Sequence, residues 1–153
     1  MSETNFGGPY VQVATICAMP LVDNTGLLSV IRMIDRIPVG GPTDEMQPTP
    51  LHQLWLVLVL KSGDMKGVKC TLAITPITPS GKRLPPAQAG VLFEGDERGT
   101  ITMTPLALVA EEEGLYWFEI TVENSVLTRI PLRVMYQKVQ RMPGMPFQPP
   151  QAG

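Results

Sequence analysis

Residues 114–136 constrain the fold of this chain more than any other stretch. They read Gly-Leu-Tyr-Trp-Phe-Glu-Ile-Thr-Val, then Glu-Asn-Ser, then Val-Leu-Thr-Arg-Ile-Pro-Leu-Arg-Val-Met-Tyr: a strand, a turn and a returning strand. Successive side chains of an extended chain point to opposite sides. Tyr116, Phe118, Ile120 and Val122 therefore share one face, and Glu119, Thr121 and Glu123 share the other. On the return, Val126, Thr128, Ile130, Leu132 and Val134 repeat the first face against Arg129 and Arg133. A hairpin with one apolar and one polar face belongs to an antiparallel sheet that covers a core on one side and meets water on the other.

Six more extended segments bring the count to about eight. Residues 10–19 end at Pro20 and an Asp23-Asn24-Thr25-Gly26 turn. Residues 27–37 carry Leu28, Val30 and Ile34 on one face and Leu27, Ile31 and Met33 on the other, which predicts a strand covered on both sides. Residues 54–61 set Leu54, Leu56, Leu58 and Leu60 opposite Trp55, Val57 and Val59, the signature of a central strand. Residues 68–75 alternate Val68, Cys70, Leu72 and Ile74 with Lys69, Thr71 and Ala73. Shorter segments follow at 90–94 and at 99–104, where Ile101 and Met103 alternate with threonines. Residues 106–113 favour a strand entering an acidic turn over a short helix, because Glu111, Glu112 and Glu113 would sit at the negative end of a helix dipole.

With 17% charged residues against a typical value of about 25%, and with 16 prolines and 14 glycines, the composition suits short strands joined by loops. The expected fold is all-β, a two-layer antiparallel β-sandwich of immunoglobulin-like or related type. Pro131 places the last strand at an edge or a bulge, since proline cannot donate to a ladder. Residues 38–50 and 76–89 are expected to be proline-rich loops. One domain, 10–136, accounts for the chain, with a flexible N-terminus at 1–9 and a disordered Pro/Met-rich tail at 137–153.

Three blocks taken in order resemble a family of small, uncharacterised bacterial β-sandwich proteins, a domain of unknown function. They are Ile16-Cys17-Ala18 through Gly26-Leu27-Leu28-Ser29-Val30-Ile31 to Ile34-Asp35-Arg36-Ile37; the strands 54–60 and 68–74 with the Ser80-Gly81-Lys82 turn; and Gly114-Leu115-Tyr116-Trp117-Phe118 with Arg129-Ile130-Pro131-Leu132-Arg133-Val134. The resemblance spans most of 10–136 and implies an immunoglobulin-like or related sandwich without catalytic residues to carry over. The chain departs from the pattern in 38–50 and in its tail.

A net charge of −2 argues against a nucleic-acid partner, which needs clustered Lys and Arg. The longest apolar run, 54–60, is too short for a membrane span. The opening Met-Ser-Glu-Thr-Asn-Phe-Gly-Gly has neither the positive nor the apolar region of a secretory leader, so the expected compartment is the cytoplasm, where Cys17 and Cys70 stay reduced. His52 is the only histidine, and neither a Gly-x-Ser-x-Gly elbow nor a His-Glu-x-x-His pair occurs; no enzyme activity, metal or cofactor is expected. Asp23, Asp35, Asp44, Asp64 and Asp96 read as turn residues before they read as calcium ligands.

What the sequence offers as a functional surface is the outer face of the closing hairpin. Trp117, Leu127, Arg129 and Arg133 are the interaction candidates, an aromatic with flanking cations that suits a protein partner. Weak homodimerisation by edge pairing of 126–136 is a further expectation, while the two Pro-x-x-Pro patterns at 143–149 read as part of a disordered tail before they read as a second contact. The leading expectation is thus a non-catalytic interaction or assembly module; the alternative is a small-ligand module, for example for a carbohydrate.

Overall fold

Eleven strands follow one another in the computed structural model, which describes residues 7–139, and no helix occurs among the described residues. They are β1 (Tyr10–Val22), β2 (Leu28–Met33), β3 (Arg36–Gly41), β4 (Thr49–Leu51), β5 (Trp55–Lys61), β6 (Val68–Ile77), β7 (Ala87–Phe93), β8 (Gly99–Pro105), β9 (Leu108–Ala110), β10 (Gly114–Val122) and β11 (Ser125–Lys138). Three sheets form: β2-β1-β5-β8, β3-β11-β10-β6-β7, and the short pair β4-β9. All pairings are antiparallel except β3 with β11, so the five-stranded sheet is mixed.

The leucine run of β5 determines where the core lies. Leu56, Leu58 and Leu60 join Ile16 of β1 in one cluster with Leu72 and Ile74 of β6, Phe118 and Ile120 of β10, and Leu132 and Val134 of β11. The inward faces of both larger sheets thus share a core, and Leu51, Leu108 and Ala110 of the β4-β9 pair add to it. Each fully buried leucine or phenylalanine contributes roughly 1.5–3 kcal/mol. The alternation of β10 is as the sequence predicts, with Tyr116, Phe118, Ile120 and Val122 all buried.

Several segments differ from the sequence expectation: β1 runs through Pro20 to Val22, and the expected loop 76–89 holds the end of β6 and the start of β7. Residues 27–37 are two strands on different sheets: β2 is an edge strand with Ile31 and Met33 exposed, whereas β3 joins the far sheet and buries Ile37 and Val39. Hydrophobic residues on both faces did not mean cover on both faces. The expected loop 38–50 holds most of β3 and part of β4; Pro38 is tolerated because β3 is an edge strand.

The last strand is not an edge strand along its whole length. β3 pairs with β11 from Arg133 to Lys138, which occupies that part of the edge proposed for strand-to-strand dimerisation. Pro131 falls just before this stretch, where only β10 pairs with β11. β11 also runs through Gln137 and Lys138, two residues into the expected tail, and the Pro-x-x-Pro repeats lie outside the described residues. At the other end Gly7 accepts a hydrogen bond from the Asp64 amide (2.9 Å), and Gly63, at φ +57°, packs so closely on Gly8 that a Cβ would strike its carbonyl oxygen.

Candidate functional site

The outward face of the five-stranded sheet carries the charges that the hairpin pattern placed there, but it uses them internally. Glu119 is only 4% exposed, although it belongs to the polar face of β10. Its Oε1 accepts from the Arg83 guanidinium at 2.7 Å and its Oε2 from Arg129 at 2.9 Å. Hydrogen bonds from Arg83, with those from Arg129, hold the carboxyl below its ordinary value against the opposing effect of burial, and Glu119 raises Arg83 in turn. Arg83 comes from the turn after β6, which folds back through a bridge to Ile77.

The four predicted contact residues therefore separate. Trp117 is half-buried between its cross-strand partners Pro131 and Ile77. Arg129 is committed to Glu119. Arg133 is exposed beside Leu115 and Arg36. Leu127 is on the other side: Ile120 pairs with Thr128 and Thr121 with Val126, so Leu127 is the extra residue of a bulge and packs against the core. Its place on the outer face is taken by Val126, which is exposed.

Other ionisable groups serve local structure. Asp23 Oδ1 accepts from the Thr25 amide (2.8 Å), the Thr25 hydroxyl (2.5 Å) and the Leu27 amide (3.0 Å), the turn role expected of it. Glu112 accepts from the Ser80 amide (2.8 Å) and Glu113 from the Tyr136 amide (3.1 Å), so the acidic run ties loops to strands. His52 is exposed in a cleft of about 410 Å³ among Pro50, Trp55, Leu106 and Val109, with no second ionisable side chain in its lining. Among the described residues no group of three or more His, Cys, Asp or Glu side chains could hold a metal. Cys17 and Cys70 are buried free thiols whose pKa values burial pushes up. No helix of the described residues is long and apolar enough to cross a membrane.

The outward face of the four-stranded sheet has a different character. Cross-strand partners share a face, and the register gives successive rows: Val13, Val59 and Ile101; Thr15, Val57 and Met103; Met33, Cys17, Trp55 and Pro105; then Ile31 with Met19. No charged side chain occurs in these rows. Cys17 and Val57 are fully buried yet stand apart from the core cluster, because their neighbours on this outer face enclose them. Around them Met33 is 72% exposed, Met19 50% and Met103 40%. On β8 the threonines pair with Leu56, Leu58 and Leu60 of the inward face, and Ile101 and Met103 turn out. Sequence reasoning missed this surface, although the alternations 55–59 and 101–103 were its signal.

No protein-family model matches the chain, and no curated protein matches it.

Proposed function

We propose that the protein is a non-catalytic interaction or assembly module: a two-layer sandwich related to the immunoglobulin type, acting in the cytoplasm, that binds protein through the outward face of its four-stranded sheet. One observation carries this reading, the uncharged apolar rows across β2, β1, β5 and β8. Apolar surface left in water costs about 25 cal/mol per Å², and a contiguous patch of several hundred Å² marks a contact site. The opposite outer face is charged instead, with Glu119 buried beneath the half-exposed Arg83 and Arg129 and with Arg133 exposed. Trp117 between Pro131 and Ile77 offers a smaller contact there, bordered by Arg129 and Arg133.

The ionisable groups that do converge support a binding role over a catalytic one. Glu119 and its arginines form a satisfied ion-pair cluster, and a depressed carboxyl held by two guanidinium groups is a poor proton carrier near neutrality. The small-ligand alternative draws on the cleft of about 430 Å³ beside Tyr116, Lys82 and Glu111, but the carboxylate of Glu112 in that lining already accepts from Ser80.

Affinity capture from a lysate of the source cells tests the module reading. Met103→Lys and Met33→Lys are expected to lower recovery of the wild-type partners about tenfold, while Trp117→Ala has a smaller effect. Identical recovery by all three variants and wild type would overturn it.

A further inference from the structure

We infer that the outward face of the four-stranded sheet seats a second copy of this chain, two protomers stacking sheet on sheet about a twofold axis. The inference rests on the reading of that face as a contact surface and names its partner. The rows Val13-Val59-Ile101, Thr15-Val57-Met103 and Met33-Cys17-Trp55-Pro105 carry no charge, so the surface offers nothing for a complementary charged partner to answer. It is complementary to itself. A twofold interface places the same patch on both subunits, and homodimer contacts are the more apolar kind, depleted of charge at their centre.

Size points the same way. The four rows hold three, three, four and two residues, and at about 4.8 Å across by two steps of about 3.3 Å along the strand for each position they cover on the order of 400 Å² in plan. Accessible area on a surface of side chains exceeds plan area, and Leu21 continues the face along the β1-β2 ribbon, paired with Ser29. Two such faces give about 800 Å² in plan, and the relief of the side chains together with Leu21 carries them toward the roughly 1,000 Å² of the smallest specific interfaces.

The borders fit as well. At one end the apolar rows stop at Tyr10 paired with Lys61, where the Tyr10 hydroxyl donates to Glu97 at 2.6 Å, a polar rim beside an apolar centre. Met19, Met33 and Met103 surround that centre, and methionine adapts its shape to an opposing surface. Stacked sheets pack about 10 Å apart with their strands within about 30° of each other, a spacing that side chains as long as methionine fill from both sides.

Sedimentation of the full chain from about 1 to 100 µM tests this, a range that brackets micromolar dimers. The expected mass at the upper end is twice the 16.7 kDa of the chain. Met103→Lys and Met33→Lys each put a charge into the contact and are expected to raise the dimer dissociation constant at least about tenfold. Both side chains are exposed, so the fold is retained, which circular dichroism verifies. Val126→Lys, an exposed position on the other sheet, should leave the dimer unchanged. A wild type that stays monomeric overturns the inference in favour of a different protein, or residues 140–153, as the cover. A dimer indifferent to both methionine substitutions overturns it too. A monomer whose Met103→Lys variant still loses a captured partner sinks only the second copy; a wild type and variants with equal capture sink the module reading as well.

Discussion

Glu119 is the residue at which the polar face of the hairpin ceases to be ordinary surface. Alternation alone sets its carboxylate toward water, and it is buried because Arg83, 36 residues earlier, reaches over the sheet to meet it together with Arg129. Nothing local in the sequence announces that contact. Charge-assisted hydrogen bonds are worth about 1.5–3 kcal/mol when sheltered, but both guanidinium groups are half exposed and solvent screens them. Glu119→Gln is therefore expected to lower stability by roughly 1 kcal/mol at pH 7, read from urea denaturation. The folded carboxyl titrates below its unfolded value of about 4.3, so its contribution is complete above that pH and disappears as acid carries the solution through the folded value. The gap between wild type and Glu119→Gln should close in that acid window; a gap that persists undiminished near pH 2 would show that the pair is not what stabilises the wild type.

The β10–β11 hairpin is the element that the sequence described best, and its two irregularities are what it concealed. Glu123 and Asn124 form a two-residue turn with φ of +49° and +66°, the mirror-image turn that matches the twist of paired strands. Asn tolerates that region. Glu123 is retained there by its bonds to Thr71, whose amide it accepts at 2.6 Å and whose carbonyl its own amide meets at 3.0 Å. Asn124→Gly should leave thermal stability within about 0.5 kcal/mol of wild type, while Asn124→Val should cost roughly 1–2 kcal/mol, since a β-branched residue resists positive φ. Equal melting temperatures for the two variants would contradict the turn. The bulge at Leu127 inverts the parity only of the residues between it and the turn, which exposes Val126 and brings Leu127 to the core, while Ile130, Leu132 and Val134 keep the inward face. An extra residue leaves no mark in a two-residue period, so the candidate contact surface around Leu127 could not be corrected from the sequence.

At the scale of the whole molecule, stability is unevenly distributed between central and edge strands. β5 is paired on both sides and buries Leu56, Val57, Leu58 and Leu60 completely, whereas β2 is an edge strand paired only with β1. In hydrogen exchange the amides of β5 are expected to open only with global unfolding, and those of β2 at least about tenfold faster through local opening. Uniform protection across both strands would refute this ordering, or would show β2 covered in an assembly. The sequence by itself determined the all-β class, the central place of residues 54–61 and the inward face of β10, because each rests on a two-residue period and on turn residues that act over a few positions. Only the tertiary structure decided which sheet β2 and β3 join, that β3 lies beside β11, that Arg83 covers Glu119, and that Ile101 and Met103 face outward. Alternation states that a strand has two faces; which of them meets the core depends on contacts between residues far apart in the chain.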